Sequence, residues 1–570
     1  MKESTAMSAR VSPAGGSLLA ALPARVREEL LAIAETVRLP AQQWLFREGE
    51  EADGLYLVAS GRLRVVVERE GETRVVRLLG PGTAIGELAL LTGTRRSASV
   101  QAVRDSELLE IESDRFLELL GRDSELSIGL ARALARQLQA SGGIAEPEAQ
   151  PSVFAVAGAG GVDAGEFSAD LCSAFAALGT TVAIDHPESE DWGRELAELE
   201  ARNAFVVLLA GPEDPEWASF CLRQADRVLV VAQARPPADP VWPEGCDVAF
   251  LGTPRAGDVA AWRRALRPRA HHVFGADLTG AAQRIARRLV GRSLGLVLSG
   301  GGARAFAHLG VVEVLAKEGL VVDRVGGTSM GAFVGAMVAL GWSPEMMIEV
   351  CRTEVMQRAP FSDYTVPRYA LIRARRAESM LRRLFSEIDI EELPRSLFTV
   401  SADLLSGEMV VHREGRLVEA VGASMAIPGL APPVSHGSHL LIDGGVLNNL
   451  PIDLMVDEEP GPVVAVDVMR RIDLDELKAS ARRPLPTILE TLSRATVLGS
   501  VDRARANRGL AQIVISPDVQ NVPLRDFRYL DEAVDAGRRA AEEALAAGAK
   551  SALAASLSPP LAESLGLPAT

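Results

Sequence analysis

Several residue types are scarce in this chain of 570 residues, and each shortage excludes something. There are four cysteines, Cys172, Cys221, Cys246 and Cys351, none in a Cys-x-x-Cys pair. That excludes a disulfide framework or a thiolate zinc site and fits a reducing cytoplasm. Aromatics make up 4% of the chain, too few for base-stacking platforms. Basic residues number 60 against 76 acidic ones, a net charge of −16. No segment is basic overall, so nucleic acid is not an expected partner. No apolar run approaches the roughly 20 residues of a membrane span. The N-terminus, Met-Lys-Glu-Ser-Thr, carries no secretory apolar core, so a cytoplasmic location is expected. The seven histidines form no obvious catalytic signature.

What is present is 48% hydrophobic, enough for sizeable cores. Gly/Pro/Glu-rich residues 141–152 read as a linker, and a second seam lies near 291–293. The pattern therefore predicts a β-roll with helices at 18–140, an α/β spacer at 153–290, an α/β domain at 293–548 and a tail at 549–570. In the roll a helix over 24–37 precedes short strands at 55–58, 63–68 and 73–79. A helix over 126–139 is of a kind that pairs two rolls into a homodimer. In the third segment a strand at 321–325 feeds a helix at 330–340.

Three constellations carry chemistry. In the roll, Gly86-Glu87-Leu88 and Arg96-Ser97-Ala98 flank a loop whose free amides and one guanidinium suit a single phosphate. Glu87 is placed to accept from a ribose hydroxyl, Arg96 to pair with the phosphate and Ser97 to add a hydroxyl. The loop resembles the phosphate-binding cassette of cyclic-nucleotide-binding domains, with Arg95 where proline is usual. The resemblance implies cAMP or cGMP as an allosteric ligand. The alternative is a roll that only docks its neighbour.

In the spacer, Gly158-Ala159-Gly160-Gly161-Val162-Asp163 follows a strand, where phosphates often sit. No Gly-Lys-Ser/Thr follows, and Asp163 would repel a pyrophosphate, so a degenerate Rossmann-like spacer is expected.

The third constellation is Gly327-Thr328-Ser329-Met330-Gly331, a GxSxG between a strand and a helix. Upstream, Gly300-Gly301-Gly302 can turn amides toward one point as an oxyanion hole, with Arg304 supporting the loop or the substrate. No histidine offers itself as base. Asp443, at a strand end before Gly444-Gly445, is the better candidate, provided burial raises its pKa. No metal is required. The Arg-rich stretch 368–383 is either a solvated helix face or a meeting place for lipid headgroups.

These motifs together resemble the patatin-like phospholipases, with Ala305 where glycine is frequent after the arginine. The order of roll, spacer with Cys221-Leu222-Arg223-Gln224-Ala225-Asp226-Arg227, and hydrolase looks like the soluble part of the neuropathy target esterase family. The resemblance implies a serine (lyso)phospholipase with a Ser329–Asp443 dyad and no required cofactor. Its substrate implies transient contact with the inner face of a membrane. The rival reading is a nucleotide-responsive scaffold with an inactive hydrolase domain.

Overall fold

The computed structural model describes residues 24–69, 72–123, 127, 151–162, 165–187, 192–274, 277–469, 488–551 and 553. Nearly all of the expected helix at 126–139, most of the linker, Asp163 and most of the tail lie outside them. The described residues form two compact units. One holds those up to 158 with 180–230 and 241–246; the other holds 159–179, 231–240 and those from 247 onward. No helix among the described residues is long and apolar enough to cross a membrane.

The first unit contains the roll. Strands Gly54–Arg69 and Ser99–Glu112 pair antiparallel along most of their length. Alternate side chains of the first strand point to opposite faces, the period of a two-sided strand. Leu55 and Leu57 pack with Val26, Leu30, Leu109 and Phe116, whereas Tyr56 and Val58 pack with Phe46, Val100 and Leu108. The expected strands at 55–58 and 63–68 are one element. Gly61 sits between them with φ 92°, and the register shifts there. A Cβ on Gly61 would lie 2.5 Å from Ser106 Cα, so only glycine lets the strands close over this irregularity. The expected helix at 24–37 stops at Ala32. The β-branched pair Thr36 and Val37 instead joins the strand Glu35–Leu39, which pairs with Ser106–Glu110.

Two arginines leave the roll's core to meet two acids of the following α/β segment. Arg104 contacts both Glu200 carboxylate oxygens at 2.9 Å, and Arg62 Nε lies 3.0 Å from Asp226 Oδ1. Asp226 Oδ2 also accepts from the Ser152 and Val153 amides at 2.8 and 3.1 Å. The two arginines hold the buried Asp226 carboxyl below its ordinary range despite desolvation. These charges tolerate burial because each faces an opposite charge.

In the first unit the α/β segment lays strands Val153–Gly158, Phe205–Ala210 and Thr181–Ile184 side by side; in the second, Asp247–Phe250 lies beside Ala270–Val273. Ladders 153–158 with 205–210, 181–184 with 205–210, and 247–250 with 270–273 are parallel.

The second unit holds an eight-stranded sheet. Its centre is the parallel run Ser396–Asp403, Arg324–Thr328, Gly295–Leu298, Val463–Val466. The last two of these are buried along their whole length, as expected for parallel strands covered on both faces. The strand expected at 321–325 lies at Arg324–Thr328, because its glycines belong to the sheet rather than to a turn. A Cβ on Gly326 would lie 2.2 Å from Phe398 Cζ, and one on Gly327 2.5 Å from Gly331 O. The strand therefore runs directly into Ser329.

Asp226→Ala strands two buried arginines, and we expect it to destabilise the first unit by about 3–5 kcal/mol. Hydrogen exchange of strands Gly54–Arg69 and Ser99–Glu112 reads the loss, while amides of Arg324–Thr328 keep their protection.

Candidate active site

Ser329 occupies the N-cap of helix Met330–Ala339 with φ 56° and ψ −128°. That conformation lies outside the basins open to a residue with a Cβ and is strained. The surroundings hold it in place. Its N–H donates to Ser424 Oγ at 2.9 Å, and Ser424 Oγ donates to Val400 O at 2.6 Å. Helix and strand meet closely because Gly331 has no Cβ; one would lie 2.3 Å from Leu298 O.

Strand Ser396–Asp403 brings Asp443 and the serine to neighbouring positions. On one side Thr328 pairs with Val400; on the other Asp443 pairs with Ser401. Two adjacent positions of one strand thus register the ends of two others. The Asp443 carboxylate accepts from the Gly445 N–H at 2.8 Å, and the Ser329 hydroxyl lies near enough to favour its charged form. Burial pushes its pKa up to about 6, against the opposing effect of those two groups.

Each of the seven histidines is engaged elsewhere. His308, fully buried, meets the Ser299 carbonyl through Nε2 at 2.8 Å, and burial lowers its pKa to about 4. A carbonyl only accepts, so this nitrogen carries the proton and His308 shapes the glycine loop. His412 faces Ser401, and His439 faces Asp403. His436 faces Glu419, and His186 faces Asp214. His271 and His272 face Glu391 O and Asp247. Asp443 is the titratable group whose charged form the Ser329 hydroxyl favours.

The glycine loop lies beside them. The Gly300 N–H donates to Asn449 O at 3.2 Å, and Asn449 Nδ2 donates back to Gly300 O at 3.2 Å. Gly300 is therefore corrected as an oxyanion donor, because its amide is already used. It matters through the missing side chain, since a Cβ there would lie 3.0 Å from Ser329 Cβ. The Gly301 and Gly302 amides have no acceptor among the described residues. Gly302, at φ 55°, lines the same cavity as Ser329. Arg304 Nε donates to Val522 O at 2.9 Å, which ties the loop to the segment before Leu524.

That cavity has a volume of about 320 Å³. Phe361, Leu381, Val418, Met425, Ile427 and Phe527 make its walls apolar, and Arg373, Arg382, Arg525, Glu378 and Glu419 stand among its lining. An apolar chain with a polar end fits this distribution.

In the roll, Gly86 adopts φ 90° ahead of helix Glu87–Thr92. Glu87 is buried, Leu88 and Ser97 are exposed, and Ala98 is half-buried. Arg96 is buried beneath Phe46, its guanidinium 4.1 Å from the ring centroid. It pairs with Asp53 at 2.5 Å and donates to Gly54 O at 2.9 Å. A Cβ on Gly86 would lie 2.1 Å from Arg96 Nη1, so the turn must be glycine.

The patatin-like phospholipase family model matches residues 296–456, and the cyclic nucleotide-binding domain model residues 36–123. An uncharacterized NTE family protein of Mycobacterium tuberculosis is 35% identical over 91% of this chain and 93% of its own length. The chain belongs to the NTE family. Human patatin-like phospholipase domain-containing protein 6 is 28% identical over 76% of this chain, which corresponds to 37% of the human protein. Lysophospholipase NTE1 of Candida albicans is 25% identical over 90% of this chain and 46% of that protein. A roll of cyclic-nucleotide-binding type and a patatin-like hydrolase thus agree with the expected fold class, and a lipid ester hydrolase agrees with the expected enzyme class.

Ser424 and Asp53 escaped the sequence reading as contributors to the two sites. No spacing signal marks either, because each meets its partner only across folded strands.

Ser329→Gly and Ser329→Ala both remove the hydroxyl, but only glycine relaxes the backbone. We expect the glycine variant to be the more stable of the two by about 1 kcal/mol, read as a higher Tm.

Proposed function

We propose that this NTE family member hydrolyses acyl esters of phospholipids or lysophospholipids. Ser329 attacks the acyl carbonyl and Asp443 takes its proton. The Gly301 and Gly302 amides hold the oxyanion, and water activated by Asp443 then releases the fatty acid from the acyl-enzyme. The observation that carries this reading is the buried Asp443 on Ser329 with every histidine engaged elsewhere. Arg304 supports the loop rather than the substrate. The apolar cavity favours a lipid chain over a small polar ester, and the same dyad disfavours an inactive scaffold.

The carboxylate must be ionised to act as base. A pKa pushed up to about 6 makes kcat/KM rise with pH through about 6 and level off above it. The test is fatty acid release from lysophosphatidylcholine by purified protein. We expect Ser329→Ala and Asp443→Asn each to abolish it, and equal release by all three proteins refutes the mechanism. Asp443 ionises less readily when folded than when unfolded, so its charge opposes folding above about pH 6. Asp443→Asn should therefore keep or raise Tm at neutral pH while activity disappears.

We further propose that the roll binds a cyclic nucleotide whose phosphate meets Arg96 and the Ser97 hydroxyl. Control of the hydrolase then requires different nucleotide affinities for its active and inactive states. Calorimetry with cAMP and cGMP should give binding heat for at least one, abolished by Arg96→Ala. No heat for either leaves the roll as a docking module.

A further inference from the structure

The wall of the cavity continues into a hairpin that the chemistry of the dyad does not use. Residues 363–373 fold back on themselves. Tyr364 bridges Ile372, the Thr365 N–H donates to Leu371 O at 2.9 Å, and the Arg373 N–H donates to Asp363 O at 3.0 Å. The tip is Val366-Pro367-Arg368-Tyr369. Its large apolar side chains face outward: Val366 is 85% exposed, Tyr369 74%, and Tyr364 just below them 64%. Scattered exposed apolar residues are ordinary, but three within six positions at a loop tip are a patch.

The base, by contrast, is pinned. Leu371 N–H donates to Gly429 O at 3.0 Å and Ile372 N–H to Leu430 O at 2.9 Å. Ile372 is buried against Leu430 and Ala431, and all three line the cavity that holds Ser329. The apolar tip is thus held rigidly on the rim of the catalytic cavity. Along the hairpin and its base, residues 361–376, basic side chains outnumber acidic ones. Arg368, Arg373, Arg375 and Arg376 are exposed, and the only acid between 361 and 376 is the half-buried Asp363. The Arg368 guanidinium lies 5.1 Å from the Tyr369 ring centroid, so cation and aromatic share one surface. In a chain of net charge −16 this is a local reversal.

We propose that this hairpin docks the enzyme on an anionic lipid bilayer, with Val366 and Tyr369 entering the interface and the surrounding arginines meeting anionic headgroups. Tyrosine suits that boundary, since its ring is apolar and its hydroxyl stays wet. The arginines gain from the negative surface potential, an attraction that falls off within a Debye length. Because the hairpin base is cavity wall, docking brings the cavity mouth to the lipid, and an acyl chain passes from bilayer to Ser329 without crossing water. The role of the hairpin in catalysis rests on the acyl-hydrolase reading; its affinity for lipid does not.

The test is co-sedimentation of the full chain with phosphatidylcholine vesicles, with and without phosphatidylglycerol. We expect binding to the phosphatidylglycerol-containing vesicles that weakens with salt. The double variant Val366→Asp/Tyr369→Ser should bind them on the order of tenfold more weakly, and Arg368→Glu should lower binding to anionic vesicles in particular. Both variants should hydrolyse a water-soluble short-chain ester at the wild-type rate and lose activity only on vesicle substrate. Ser329→Ala should bind vesicles as wild type does. Wild-type protein that ignores anionic vesicles overturns the inference, as does a double variant that binds them equally. Self-association abolished by the double variant, without vesicle binding, assigns the tip to a protein interface instead and also overturns it. If the wild type binds vesicles but cleaves no ester at all, the hydrolase reading fails while the docking surface stands.

Discussion

Asp443 carries a carboxyl group that is shut away from water and held beside Ser329. Burial alone disfavours its charge. The Gly445 amide and the Ser329 hydroxyl answer part of that penalty, leaving a group poised near pH 6 rather than near 4. Everything around it follows from keeping those two side chains together. Ser396–Asp403 must lie between their strands so that Thr328 and Asp443 arrive at neighbouring positions. Ser424 must hold the Ser329 amide while the backbone sits in a conformation it would otherwise leave. Asn449 must lock the Gly300 loop to the turn that follows Asp443.

A dyad of this kind differs from a histidine-based site in where its free energy lies. An imidazole titrates near neutrality without help, whereas a carboxylate becomes a useful base only when desolvated. On the acyl-hydrolase reading proposed above, the apolar cavity offers an acyl chain the surface that it prefers to water. The histidines nearby act as structure: His308 stays neutral and fixes a carbonyl of the glycine loop.

The roll follows a different logic. Its buried arginines, Arg62, Arg104 and Arg96, are all matched by carboxylates or carbonyls, and two of the three acids come from the adjoining α/β segment. Asp226 belongs to a short motif visible in the sequence, and the fold shows what it does: it receives two arginines and caps two amides at the start of Val153–Gly158. Arg96, expected to face a phosphate, rests on Asp53, so an anion arriving there competes with a carboxylate already in place.

Local rules made much of this chain legible. GxSxG, the three glycines and Asp-Gly-Gly stand out because sharp turns between strand and helix demand small residues in order, and alternation revealed the roll because strands have period two. The errors were equally local. The helix expected at 24–37 overruns into Thr36 and Val37, and the strand expected at 321–325 begins too early because Gly326 makes room for Phe398 inside the sheet. Residue types at short spacing thus determined the two domain types, the candidate nucleophile and its candidate base. Only the tertiary structure decided that Gly300 is no donor, that Ser424 secures the serine, that Asp53 occupies Arg96 and that residues 363–373 project from the cavity rim. The physical reason is that hydrogen bonds, ion pairs and desolvation act through space. Partners such as Arg304 and Val522 lie 218 residues apart along the chain, where no local pattern records that they will meet.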